Sequence, residues 1–257
     1  MRLFKHEFRT AQTLFWRSRE SAFFTFFLPV IFFLIFGSIY ANHLMSDEFL
    51  PNGKPMRFAP FLEAGMIGYG VAATCFAGLA ITLVIRRESG VLKRIRATPL
   101  PASTYVLAVL ASTFVVFLIE ALLIMTLGRT LFSVGFPDRI FSLFAVLVLG
   151  AACFTAMGLG ITAFVRSSEG SSAAVNAVYL PMAIISGTFF TPNSYPGFLK
   201  VIAEILPLTH FTQLTRDVMV RHQHVWSDTG AISVVVAWGL VGLVGAVRGF
   251  RWEPLES

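Results

Sequence analysis

Few residues in this chain combine type and spacing in a way that suits bond-making chemistry. A phosphate-cradling loop needs a Gly-rich turn followed by Lys and Ser or Thr, and Gly53-Lys54 is followed instead by Pro55. No G-x-S-x-G nucleophile motif occurs. His222 and His224 flank Gln223 without further ligands at metal-binding spacing, and His210 stands in Pro-Leu-Thr-His, where a turn or interface role is expected. Glu120 lies well inside an apolar run. A carboxylate at such a depth costs a few kcal/mol (roughly 2.5–3.5 on insertion scales), so it faces protein or water. It either lines a path, taking a cationic group or a proton, or hydrogen-bonds to a neighbouring helix. Asn176, Ser186 and Thr188 read as hydrogen-bonding contacts between helices.

The densest charge is RRESGVLKRIRATPLP at Arg86–Pro101, where five of sixteen residues are Lys or Arg. It separates two long apolar runs, so it must sit in water. Val91, Leu92 and Ile95 are expected to share one face of a short helix there, which a soluble partner can grip.

The elements that position these residues follow from composition. Hydrophobic residues make up 56% of the chain and charged residues 13%, with a mean hydropathy of +0.74. Soluble domains carry roughly 25% charge, so the chain belongs to the membrane class. Its basic residues cluster beside apolar runs, a pattern that marks topology rather than nucleic-acid binding. Cys75 and Cys153 both lie in apolar runs and read as packing residues, not as a metal or disulfide framework.

Spanning the hydrocarbon takes about 20 helical residues. Six runs are long enough: Ala22–Tyr40, Ala64–Ile85, Ala102–Leu127, Ile140–Val165, Ser172–Thr191 and Gly230–Val247. None alternates with period two, so helices rather than a barrel are expected. The first run lacks a small-x-small cleavage site and reads as an uncleaved span. With six spans both ends share a side, which carries 13 Lys and Arg against 7 opposite. That side is cytoplasmic by the positive-inside rule.

Residues 1–21 place Phe4, Phe8, Ala11 and Phe15 on one helical face and Arg2, Lys5 and Arg9 on another. This pattern suits an amphipathic helix in the headgroup plane, or more simply a basic flank of the first span. Residues 41–63 read as a polar outer loop. Residues 192–229 are broken by Pro192, Pro196 and Pro207 yet partly apolar, which suggests a re-entrant or surface-lying helical element. Glycines at 239, 242, 245 and 249 and at 150, 158 and 160 mark close helix packing within the chain. The whole of 1–257 reads as one transmembrane domain, without a soluble domain or a repeat.

Two blocks resemble the permease subunits of ATP-binding-cassette exporters of the ABC type-2 class, including daunorubicin-type drug-resistance permeases. One is the Arg86–Pro101 segment, with its Glu, its Gly and its closing Ala-Thr-Pro. The other is ISGTFFTPNSYPGFLKVIAEILPLTHFTQLTRDVM at Ile185–Met219. The sequence departs from the pattern at Arg86, where members often carry an acidic residue. The resemblance implies an all-α bundle of six transmembrane helices. It implies that Arg86, Arg87, Glu88, Gly90, Val91, Leu92, Lys93, Arg94 and Arg96 form the helix that couples to a separate ATPase. Phe4, Phe8 and Phe15 would belong to a connecting helix, and Pro192–Leu206 to an external re-entrant element.

The resemblance further implies a second permease subunit, identical or related, and ATP and magnesium held by the partner ATPase rather than by this chain. It also implies a bacterial plasma (inner) membrane location. Glu120, Asn176, Phe189 and Phe190 are candidates for the path. Phe-rich spans, 27 Phe in all, with little intramembrane charge favour a hydrophobic drug or lipid as substrate over a glycan or glycolipid. The rival class is a polytopic membrane enzyme acting on lipids. Such an enzyme needs convergent polar groups at one depth, and Glu120 is nearly alone.

Overall fold

A computed structural model describes residues 2–165 and 167–249. Arg166 and Arg251, counted above among the basic flanks, lie outside the described residues, as do Met1 and the rest of the C-terminal segment after Gly249. Among the described residues the fold is all-α apart from one small hairpin.

Helix α1 (Arg2–Arg17) leads through Ser18 into α2 (Arg19–Tyr40), which ends at the hairpin β1 (Leu44–Phe49) and β2 (Pro55–Arg57). The antiparallel pair closes over Pro51, Asn52 and Gly53, whose turn chemistry explains why the chain reverses there. Residues 41–63 are therefore not all loop. A continuous helix begins at Phe58 and runs to Glu88, made of α3 (Phe58–Gly70), a wider π-helical stretch (Val71–Gly78) and α4 (Leu79–Glu88). It is the most enclosed of the long helices, and its small residues (Ala64, Gly65, Gly68, Ala72) let neighbours approach on every side.

A short helix α5 (Val91–Arg96) links α4 to α6 (Ala102–Phe132), and α7 (Ile140–Ile161) returns antiparallel to α6. Helix α8 (Ser168–Ile185) follows, with Ser167 Oγ accepting from the Gly170 amide as its N-cap. Two short helices, α9 (Gly197–Ile205) and α10 (Pro207–Met219), precede the last long helix α11 (Thr229–Gly249). Pro207 sits in the first turn of α10, where its missing N–H costs nothing.

Among the described residues five helices are long and apolar enough to cross a membrane: Arg19–Tyr40, Phe58–Glu88, Ala102–Phe132, Ile140–Ile161 and Thr229–Gly249. The fifth predicted run, Ser172–Thr191, folds differently from the others. Its helix starts earlier, in the polar Ser168–Ser172 stretch, and stops at Ile185. Gly187 takes φ +76°, a left-handed conformation that ends the helix. Even so, α8 runs between the α5 end of the bundle, where it starts beside Glu88, and the hairpin end, where Gly187 meets Arg216.

The core centres on α3, the π-helical stretch, α7 and α10. The expected glycine contacts form within the chain. A side chain on Gly242 would meet the Met157 amide nitrogen at 2.5 Å, and one on Gly160 would meet the Gly242 carbonyl at 2.7 Å. Backbones of α7 and α11 thus pack at a distance only glycine permits. The segment 192–229 supplies α9, which lies on the surface with Ala203 buried, and α10, which enters the bundle against α3, α7 and α11.

Candidate functional site

At the α5 end, Gly90 takes φ +71°, so α5 doubles back directly after α4. Leu92 is completely buried, in a cluster with Leu79, Leu83, Tyr105, Val109 and Leu159. Ile95 packs beside it and Val91 is exposed. The three apolar residues therefore do not form one outward face. Leu92 is the anchor, and Val91, Lys93, Arg94 and Arg96 are what α5 presents to solvent.

The three preceding residues each grip a different helix. Arg86 Nη1 donates to the Tyr105 hydroxyl at 3.0 Å. Arg87 is buried and points inward, donating from Nη1 to the Thr162 carbonyl at 2.8 Å and from Nη2 to the Val165 carbonyl. A cation beside the carbonyl of Thr162, the residue that caps α7, is favoured by the helix dipole as well as by the hydrogen bonds. Glu88 accepts from the backbone N–H of Ser168 at the start of α8, the mirror-image arrangement. Of the residues proposed from sequence for coupling, Arg86, Arg87, Glu88 and Leu92 thus hold the element in place.

Helix α1 lies along α6, with Ala11 buried and Gln12 Nε2 donating to the Ser112 carbonyl at 2.9 Å. Phe4 and Phe8 stack at 6.3 Å, and Phe15 and Trp16 meet Phe26 of α2 at 6.3 and 5.6 Å. Arg2, Lys5 and Arg9 remain exposed, giving the two faces read from the sequence.

Inside the bundle, Glu120 is buried and accepts from Thr74 Oγ1 at 2.8 Å, in the π-helical stretch. A side chain on Gly70 would come within 2.7 Å of its Oε1. A second buried carboxyl, Glu63, packs in the same way against Gly128, 2.8 Å from where a Cβ would stand. The antiparallel helices α3 and α6 thus exchange carboxyl-on-glycine contacts at both levels. Glu63 escaped the sequence reading because a hydropathy window starting at Ala64 treats the preceding carboxylate as a boundary. Its signal was the pairing of a small residue with an acid on each helix. Asn176 is half-buried on α8, and Phe190 is exposed. Phe189 packs into an aromatic cluster with Phe36 at 5.5 Å, Phe32 at 5.8 Å and Tyr69 at 6.3 Å.

At the hairpin end, Arg221 bridges Glu48 at 2.7 Å and Asp217 at 2.5 Å. Thr191 Oγ1 donates to the other Glu48 oxygen at 2.8 Å. These contacts tie the hairpin to α10 and to the turn after α8. Burial pushes the Asp217 carboxyl above its ordinary value, with Arg221 and Arg216 opposing the shift. Arg216 is buried, its guanidinium 3.8 Å from the Phe61 ring centre, and Nη2 donates to the Gly187 carbonyl at 3.0 Å. Burial lowers its pKa to about 10, which leaves it cationic at neutral pH. Nearby, His222 pairs with Asp138 at 3.1 Å, and His224 contacts Arg139, so these histidines join two loops.

The ABC-2 type transporter family matches residues 2–220. The chain is 26% identical over 193 residues to ABC transporter G family member 20 of Dictyostelium discoideum, covering 73% of this chain and 26% of that protein. It is 19% identical to the probable multidrug ABC transporter permease YbhR of Escherichia coli (strain K12), covering 62% of this chain and 44% of the relative. It is 27% identical to Nodulation protein J of Rhizobium meliloti (strain 1021), covering 68% of each. The chain thus spans about a quarter of the first and under half of the second of these curated relatives.

Proposed function

The chain belongs to the ABC-2 type transporter family, and on that premise we propose that it forms the membrane path of an ATP-driven exporter worked by a separate ATPase. It is a multi-pass ABC transporter permease. The ATPase partner, carrying ATP and magnesium, docks on α5. One observation carries this reading: the α4–α5 corner is rooted through Arg86, Arg87, Glu88 and Leu92 against α6, α7 and α8, yet α5 presents Val91, Lys93, Arg94 and Arg96 to solvent. A force applied to those outward residues reaches the bundle without first bending a loop.

Two such permease subunits enclose the path in the inner membrane, with both termini cytoplasmic and the hairpin end outside. The six-crossing count includes α8, whose exposed face carries Val178, Leu180 and Ile184 and leads to Phe190. That face and half-buried Asn176 line the path, and Glu120 stands behind it inside one protomer. The substrate is a hydrophobic or amphiphilic molecule, a drug or lipid. The apolar character of that face supports this, and so does the likeness to relatives named as probable multidrug permeases. Export requires that the substrate bind the inward- and outward-open states with different affinity.

Reversing charge at Lys93 and Arg94 (K93E/R94E) tests the docking. The double variant is expected to lose co-purification with the ATPase and ATP-dependent substrate movement in vesicles. Binding and export equal to the parent would refute it. For orientation, a cysteine at Asn52 should react with an impermeant reagent from outside and one at Gly90 should not. The native Cys75 and Cys153 are buried and give little background.

A further inference from the structure

We propose that the cavity between the turn after α8, α9 and α10 binds a phosphate-class oxyanion, presented as the headgroup of a membrane amphiphile. The cavity measures about 230 Å³ and is lined by Ser186, Lys200, Glu204, Thr209, Arg216 and Arg221 among others. At roughly 30 Å³ per water it holds seven or eight waters' worth of space, enough for a tetrahedral oxyanion and its first substituent.

Its polar groups are unusual for a buried site. Arg216 and Ser186 are 5% and 1% exposed, and Arg216 Nε, Ser186 Oγ and Thr209 Oγ1 have no hydrogen-bond partner among the described residues. A buried donor left unmatched is costly, and three residues that carry such donors line this one cavity, which favours a ligand rich in acceptors. His210 Nε2 lies 2.8 Å from the Glu204 carbonyl, so in the neutral ring Nδ1 is an acceptor and adds no donor.

Charge gives the sign. Arg221 is shared between Glu48 at 2.7 Å and Asp217 at 2.5 Å. Among the lining residues three cations, Lys200, Arg216 and Arg221, stand against two carboxylates, Glu48 and Glu204. The buried guanidinium of Arg216 has no carboxylate within ion-pair distance among the described residues and rests instead on a carbonyl and a ring face. An oxyanion supplies what a buried cation lacks, with charge-assisted hydrogen bonds to its fork.

The mouth indicates the source. Lys200 and Glu204, one turn apart on α9, line the cavity, while Phe198, Val201, Ile202 and Ile205 form an exposed apolar face on the same helix. An amphiphile places its headgroup beside the first pair and its chains along the second. This inference does not depend on ATP-driven export and can stand or fall separately.

The test uses the intact chain purified in phosphate-free detergent, titrated with phosphatidic acid in mixed micelles, with inorganic phosphate, and with diacylglycerol. Thermal unfolding and native mass spectrometry are the readouts. Phosphatidic acid is expected to raise the unfolding temperature and bind one per chain, and diacylglycerol to do neither. Removing the two hydroxyls (S186A/T209V) should weaken binding about tenfold or more, the loss expected for hydrogen bonds to a charged group. Lys200→Glu, an exposed change that spares the fold, should weaken it several-fold. Equal binding of inorganic phosphate would assign the site to the free anion. No binding of either phosphate, or undiminished binding in both variants, would overturn the proposal.

Discussion

Replacing Arg221 by Ala should destabilise the hairpin end by an amount the geometry sets. Arg221 pairs with Glu48 and Asp217, both buried, and is itself 24% exposed. Removing one partner of a buried ion pair costs about 3–5 kcal/mol, because the remaining charge is left uncompensated. Thr191 still donates to Glu48, and Arg221 is partly solvated, so the low end applies, about 3 kcal/mol. For a chain of this size that corresponds to a loss of roughly 6–12 °C in unfolding temperature. The loss should also depend on pH. Burial already raises the Asp217 pKa, and Arg221 opposes the rise. A carboxyl with a folded pKa above its unfolded value stabilises when protonated, and that contribution fades as pH climbs through the folded pKa. Without Arg221 the rise is stronger, so R221A should fall further behind the parent at pH 8 than at pH 5. Adding Glu48→Gln removes one stranded charge and should recover part of the loss. Thermal unfolding in detergent, followed by tryptophan fluorescence at both pH values, measures all three. A variant within 0.5 kcal/mol of the parent at pH 8, unimproved by E48Q, would refute the reasoning.

Gly242→Ala should cost about 1–3 kcal/mol, because its Cβ would meet the Met157 amide nitrogen at 2.5 Å and backbone cannot yield easily. Gly197→Ala, with nothing within 4 Å, should stay within about 0.5 kcal/mol, and thermal unfolding of the pair separates close packing from glycine content. Leu92→Ala should cost about 2–5 kcal/mol as a fully buried leucine, whereas Lys93→Ala and Arg94→Ala should leave stability unchanged. Equal losses at all three, in the same unfolding assay, would mean α5 is not rooted by Leu92. Arg87→Ala should free the Thr162 and Val165 carbonyls, raising hydrogen exchange in the α7–α8 connection while the hairpin end stays protected.

The long helices were legible because hydropathy over about 20 residues is a strong, local signal. The amphipathic α1 was legible too, since Phe4, Phe8 and Phe15 repeat at helical spacing. What failed were features set by partners distant in sequence. Leu92 and Val91 are adjacent and equally apolar, and only the fold decides that one is an anchor and the other exposed. Arg86, Arg87 and Glu88 look like one charged patch, yet their partners are Tyr105, the end of α7 and the start of α8. The start of α3 was set too late because Arg57 and Glu63 lower the local hydropathy, although Glu63 is enclosed once α6 packs over it with Gly128. Glu48 sits in a stretch that reads as solvated loop, and it is buried by Arg221, 173 residues away.

These long-range contacts bear on how motion passes through the bundle. The continuous helix Phe58–Glu88 carries at its lower end the grips on Tyr105, α7 and α8, and at its upper end Phe61 beneath the Arg216 guanidinium. A displacement of α5 therefore acts on one stiff element that touches both ends. The π-helical stretch interrupts that element midway, where its wider turns place Thr74 against Glu120. Such stretches are local departures from regular helix geometry and often mark functional positions. Either the helix moves as a rod and the two ends shift together, or it bends at Val71–Gly78 and the Thr74–Glu120 bond opens first. The second costs a hydrogen bond to a buried carboxyl, and the first requires α3 to slide past Gly128 with Glu63 packed against it. Glu63 on Gly128 and Glu120 on Gly70 thus set a buried carboxyl at each of the two levels where α3 and α6 meet.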